Sequence, residues 1–195
     1  MKKRTLSLIL LSLILLFAWT VPALAEEERA GIYVRITVER YGDIYAELYP
    51  EYAPETVANF QQLIGENFYD GLTFHRIISG FMIQGGDPLG NGTGGSGTNI
   101  QGEFLLNGWN NTISHKAGVI SMARAQPYNS ASSQFFICVA DSEFLDGQYA
   151  AFGWVADEES LAIVQQIAKD ARPIDNNGTI PAAQQPVIES VTVLD

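Results

Sequence analysis

Turns bearing glycine, proline or asparagine cut this chain into short β-rich runs, and that spacing narrows the possible folds more than any other feature. Gly31–Glu39 alternates apolar and polar residues, the pattern of a half-buried strand. Gly42-Asp43 is a hairpin signal, and Ile44–Tyr49 reads as the return strand. Further β-rich runs lie at Phe74–Ile78, Gly118–Ala123, Ser133–Val139, Ala150–Val155 and Val187–Val193, the last expected beside the first. Only two segments carry helical spacing. Pro54 opens one, with Val57, Phe60, Leu63 and Ile64 as its apolar stripe. Asp157 is the expected N-cap of the other, whose apolar residues are Leu161, Ile163, Val164 and Ile167. Many short strands and two helices, with no internal repeat or linker, predict a mainly β fold: a closed antiparallel barrel with plugged ends.

The first 25 residues are expected to lie outside that fold. Lys2, Lys3 and Arg4 precede an apolar run from Leu6 to Trp19, and Pro22 and Ala23-Leu24-Ala25 complete a secretory signal with cleavage before Glu26. The run is nearly long enough to span a bilayer, but the small-residue ending favours cleavage over a retained anchor. Residues 26–195 then form one domain, exported to a periplasm, a cell surface or the medium, and touching membrane only through its signal. Of the 11 Lys and Arg, three belong to the signal; the remaining eight face 22 Asp and Glu, a charge near −14. Such a surface repels nucleic acid and anionic lipid and favours a soluble monomer. The lone Cys138 sits in an apolar run, so it reads as a buried thiol with no disulfide partner.

One stretch departs from a plain core pattern. Phe74–Pro88 places Arg76, Phe81, Met82 and Gln84 close together and ends on a Gly-Gly-Asp turn. Alternation puts Arg76 and Ile78 on one face, with His75 and Ile77 on the other. His75 is therefore expected to be structural. After Ser79-Gly80, Met82 and Gln84 share a face opposite Phe81 and Ile83. Polar residues on a strand with apolar neighbours read as the floor of a site. Phe81 and Met82 can both face it only if the backbone twists after Gly80.

Most chemistries lack their residues. Two histidines without zinc spacing give no metal site, and no nucleophile elbow occurs. Gly92–Gly97 matches a dinucleotide glycine pattern by letter but lacks a following helix, so it reads as a flexible loop bordering the site. No cofactor is expected. One reaction needs only an arginine, an amide and an apolar socket. Rotation about an X–Pro bond breaks no bond and faces a barrier of about 18–20 kcal/mol, because twisting removes amide resonance. The isomers differ by only about 0.5–1 kcal/mol, so catalysis must act on the barrier. The twisted state leaves a lone pair on the proline nitrogen, which a guanidinium binds better than the planar amide. Bringing a ~100 s event to about a millisecond asks for roughly 7 kcal/mol.

These residues resemble the cyclophilins, which are peptidyl-prolyl cis–trans isomerases. The resemblance covers nearly all of residues 26–195. It rests on Phe74–Ile78 through Gln84–Asp87, Gly92–Gly95, Ser121–Ala123, Ser133–Ile137 and Leu145–Gly147. It implies an eight-stranded antiparallel closed barrel capped by two α-helices, with the site on its outer face. It implies Arg76 as catalytic residue, with Gln84 orienting it. It implies a proline pocket of Phe81, Met82, Phe136 and Leu145, with Ala123, Arg124 and Gln134 binding the flanking peptide. Phe144 stands where cyclosporin-sensitive members carry Trp, which implies weak binding of that drug. Tyr149 stands where they carry His. Arg124 replaces an Asn, which bears on the residues accepted beside the proline. The expected partners are proline-containing peptides and unfolded exported proteins. Rival readings are a non-catalytic peptide-binding module using the same groove, and a small-ligand binder resting on the glycine loop alone.

Overall fold

The computed structural model describes residues 31–194; the proposed signal lies outside the described residues. Eight strands appear: β1 Ile32–Val38, β2 Gly42–Leu48, β3 Phe74–Ile78, β4 Met82–Gly85, β5 Val119–Met122, β6 Phe135–Cys138, β7 Ala151–Val155 and β8 Ile188–Leu194. All pairings are antiparallel, in the order β3-β4-β6-β5-β7-β2-β1-β8, so β8 does lie beside β1. The sheet curls until its edge strands approach each other at Thr73↔Val187, where the Phe74 amide donates to Pro186 O and the Ile188 amide to Leu72 O. That contact is an isolated pair and not a ladder, so the sheet is a curled eight-stranded sheet whose edges meet at one point.

Helix α1 spans Pro54–Gly65 and buries Thr56, Val57, Phe60, Leu63 and Ile64. It has no side-chain cap of its own. The carboxylate of buried Glu103 accepts from the amides of Glu55 and Thr56 instead, placing an anion on two unpaired N–H groups of the first turn. Helix α2 spans Glu158–Asp170 and is capped as expected, with Asp157 accepting from the Ser160 amide at 2.7 Å. Its buried face is Ser160, Val164, Ile167 and Ala168, while Leu161 and Ile163 are only partly covered.

The inner face of the sheet carries the core. Val34, Ile36, Ile44, Ala46, Phe74, Ile77, Ile83, Phe135, Ile137 and Phe152 are fully buried there. Phe135 is the hub of an aromatic group, with ring centres 5.4 Å from Phe60, 5.6 Å from Tyr69 and 6.1 Å from Phe74. A second, smaller apolar cluster lies on the outer face: Met82, Val119, Phe136, Cys138, Leu145 and Ala151, with Phe81, Ala123 and Tyr149 packed against it. Each strand that alternates between these faces therefore serves both. Cys138 is buried in the outer cluster, and burial pushes its thiol up to about 12, with Asp146 and Asp141 adding to the effect.

Candidate active site

The outer cluster floors a hollow of about 500 Å³ lined by Arg76, Phe81, Met82, Gln84, Ala123, Arg124, Phe136, Phe144, Leu145 and Tyr149. These are the sequence-expected site residues except Gln134, whose side chain lies just behind. Strands β3, β4 and β6 set the geometry. Register pairs Arg76 with Gln84 and Gln84 with Phe136, so three outward side chains stand in a row across three strands.

Arg76 is held at both ends of its guanidinium. Nη1 donates to Gln84 Oε1 at 3.0 Å and lies 4.0 Å from Met82 Sδ, while Nε donates to Asn177 O at 2.8 Å. Gln84 is itself fixed: its Nε2 donates to Gln134 Oε1 at 2.9 Å, and Gln134 Nε2 donates to Gly94 O at 2.8 Å. The relay aligns the amide dipoles and leaves the Arg76 fork few alternative positions. Burial pulls the Arg76 pKa below its ordinary value, opposed by Tyr149 and Asp175. A guanidinium starts so far above neutrality that it stays charged.

Backbone geometry resolves the Phe81–Met82 tension. The Phe81 amide donates to Ile78 O, and Gly80 has φ +72°, a turn conformation that side-chain-bearing residues rarely adopt. Phe81 thus belongs to the turn and escapes the alternation that begins at Met82. It reaches the hollow beside Phe144, with ring centres 5.3 Å apart. Ile83 points into the core and Met82 and Gln84 point out, as alternation requires.

Alternation fails at His75. The β3–β4 register shifts between Phe74 and Arg76, a bulge that puts Phe74 with Ile77 in the core and frees His75 from the inner face. His75 lines the hollow beside Asn91 and Gly92, only 4 % exposed, and neither ring nitrogen has a hydrogen-bond partner among the described residues. Burial lowers its pKa, with Arg76 adding to the effect and Asp87 opposing it.

Asn91 and Gly92 belong to the glycine loop expected to border the site, whereas two further border residues, Asn177 and Thr179, escaped the sequence reading. The segment around Asn177 runs along the free edge of β3, bridging Thr179 to Arg76 and giving the Gly178 carbonyl to the Ile77 amide. Gly178 has φ +88°, and a Cβ there would lie 2.5 Å from Ile78 Cγ1. Asn177-Gly178 is a turn dipeptide, the one signal that could have drawn attention to it. The glycine loop meanwhile folds around Asp87, whose carboxylate accepts from the amides of Leu89, Asn91 and Gly92. Those bonds hold the Asp87 pKa down although burial pushes it up. The amides of Gly92 and Thr93, at the start of the glycine pattern, are thus already taken, by Asp87 and Asn91.

Behind Phe136 lies a buried polar group. His115 Nδ1 sits 2.9 Å from Asp146 Oδ1 and Nε2 sits 3.1 Å from Ser121 Oγ, while the ring stacks on Phe136 at 6.0 Å. Burial lowers the His115 pKa, with Asp146 opposing. The neutral ring, donating at Nδ1 and accepting at Nε2, satisfies both neighbours. Ser121 is fully buried, so this triad-like arrangement offers no accessible nucleophile.

Residues 33–193 match the family model described as cyclophilin type peptidyl-prolyl cis-trans isomerase/CLD. A peptidyl-prolyl cis-trans isomerase-like 1 of Rhizopus delemar is 50% identical over 152 residues, covering 70% of this chain and 90% of the relative. A peptidyl-prolyl cis-trans isomerase of Synechococcus elongatus is 47% identical over 131 residues, covering 67% and 86%. A crystal structure of a Cryptosporidium parvum cyclophilin type peptidyl-prolyl cis-trans isomerase, in the presence of the dipeptide Ala-Pro, superposes with a TM-score of 0.70 at 30% identity, covering 84% of this chain and 99% of that one.

Proposed function

We propose, for a chain that belongs to the cyclophilin-type peptidyl-prolyl cis–trans isomerases and is an enzyme of that kind, that Arg76 supplies its rate enhancement to X–Pro bonds of exported proteins. The observation that carries this reading is the charged fork held over an apolar floor: Arg76 bound to Gln84 and Asn177 O, beside Met82, Phe81, Phe136 and Leu145.

The steps follow from those positions. The proline ring enters the apolar hollow, where Phe136 and Met82 hold it by contact and exclusion of water. The residue before proline is then free to turn while the ring stays fixed. As the bond twists, resonance is lost and the proline nitrogen becomes pyramidal. The Arg76 fork, held by the Gln84–Gln134–Gly94 relay, donates to the new lone pair. The planar ground state offers no such acceptor, so the bond strengthens toward the transition state and lowers the barrier. No covalent intermediate forms and no proton is transferred. Proline-containing peptides as substrates accord with the Ala-Pro present with the Cryptosporidium relative.

Protease-coupled isomerisation of a proline peptide by residues 26–195, with Arg76→Ala alongside, tests the mechanism. Equal rates for the two proteins would remove Arg76 from it. The signal segment supports export, and the clients are then unfolded chains beyond the membrane. Among the described residues no helix is long and apolar enough to cross a membrane. The mass of the exported protein should begin at Glu26; a retained Met1 overturns cleavage.

A further inference from the structure

Arg124 opens the loop after β5, and its guanidinium carbon lies among three aromatic rings: 5.0 Å from the Phe104 centroid, 5.1 Å from Tyr128 and 4.8 Å from Tyr149. Its Nε donates to Gln148 O at 3.0 Å, and Nη1 donates to Ala125 O and Gln126 O at 3.0 and 3.2 Å. Three of its five donors are thus used to fix the fork. Nη2 donates to no protein acceptor among the described residues. A guanidinium stacked and tethered in this way keeps its charge in one place, so little ordering cost remains when a ligand uses the free side.

Its position gives that charge a use. Arg124 lines the hollow that holds Arg76 and also a second hollow of about 390 Å³, beside Gly94, Ser132 and Gln134. The two share Gln84, Gly92, Ala123 and Arg124, so Arg124 stands on the border a peptide must cross to occupy both. Among the described residues lining either hollow there are two arginines and no carboxylate. This occurs in a chain of net charge −11, whose surface elsewhere repels acidic peptides. That general repulsion is screened beyond about 8 Å at physiological salt, whereas a part-buried cation in contact with a ligand is screened far less.

We propose that Arg124 is a specificity-determining residue that selects peptides with an acidic side chain within two residues of the proline. The Arg124 Nη2 donors take the carboxylate, and a lysine at the same place meets two fixed positive charges. The inference rests on the isomerase reading of the neighbouring hollow.

The test measures cis–trans exchange by NMR on proline peptides carrying Glu, Gln or Lys at each of the two positions on either side of the proline. The proteins are residues 26–195 and the variants Arg124→Gln and Arg124→Lys. Glu should exceed Lys by roughly five- to tenfold in kcat/KM at one position or more, the size of one charge-assisted contact. The ratio should narrow with added salt. Arg124→Gln should bring it near one, and Arg124→Lys should keep part of it. A merely structural role for Arg124 would change all peptides by one factor and leave the ratio alone, which overturns the proposal. So would a ratio near one in the unmodified protein. Exchange no faster than the uncatalysed rate for every peptide would instead strike at the isomerase reading. Arg76 is unchanged in all three proteins, so it cannot account for a difference between them.

Discussion

Phe135 and Phe136 are neighbours on β6, yet they belong to different halves of the molecule. Phe135 enters the inner core and touches Phe60, Tyr69 and Phe74. Phe136 faces outward under the hollow, between the rings of His115 and Tyr149. The same division runs through β4, where Ile83 points in and Met82 and Gln84 point out. The inner face is apolar throughout and closed by α1 and α2. The outer face buries apolar residues beneath the hollow and leaves others, such as Tyr33, Tyr45 and Trp154, exposed, and it carries the relay that joins Arg76 on β3 through Gln84 on β4 to Gln134 beside β6. One face holds the fold together, and the other accepts an incomplete core in exchange for a site.

That contrast predicts separable losses. Phe135→Ala should cost about 3–5 kcal/mol of stability by leaving a large cavity at the aromatic hub, read by urea unfolding. Activity per folded molecule should persist. Arg76→Ala should invert the pattern: a loss of about 10²–10³-fold in kcat/KM, the usual cost of one transition-state donor, with an almost unchanged unfolding midpoint. If Arg76→Ala unfolds the protein or Phe135→Ala abolishes isomerisation in the folded fraction, the two faces are not independent. Phe136→Ala should lower kcat/KM by about 10–100-fold, while destabilising less than Phe135→Ala because water can fill an open hollow.

The smallest expected effect is a pH dependence, and its range separates the two histidines from Asp87. His115 and His75 both have pKa values lowered by burial, so the unfolded chain binds more protons than the folded one as pH falls. Their contribution is full above the ordinary histidine value, near 6.5, and is lost as pH drops from there toward the lowered folded values. Asp87 is likewise lowered, so its contribution survives to lower pH and disappears only below the ordinary carboxylate range. Urea midpoints across pH should therefore fall in two stages. His115→Gln should flatten part of the upper stage, and a curve unchanged by that substitution removes His115 as its source.

Much of the fold could be read from local pattern because alternation and helical spacing are local properties. Seven of the eight strands, the two helices and the Asp157 cap follow from residues within a few positions of each other. Sequence spacing did not reveal that the sheet edges meet at only one pair, because edge contact is fixed by twist accumulated over eight strands. Of the site, Arg76, Met82, Gln84 and Phe136 were legible because they alternate with core residues on three strands that pair. His75 was misplaced because a bulge is invisible in the pattern it interrupts. Asn177 was missed because its contribution is a backbone carbonyl, which every residue possesses.

By itself the sequence determined which side chains were available: the Arg76 guanidinium, the Gln84 amide and a set of aromatics in a chain without a nucleophile motif. It also fixed, through Gly80, the turn that lets Phe81 leave its strand. Tertiary structure alone decided how those groups are held. Arg76 is about a hundred positions from Asn177 and 50 positions separate Gln84 from Gln134, and no local rule joins them. Strand pairing does, because adjacent strands run roughly 5 Å apart and bring distant residues to hydrogen-bonding distance. The packing of three loops made Arg124 more than a substitution in a loop, by closing Phe104, Tyr128 and Tyr149 around a charge that local sequence leaves unplaced.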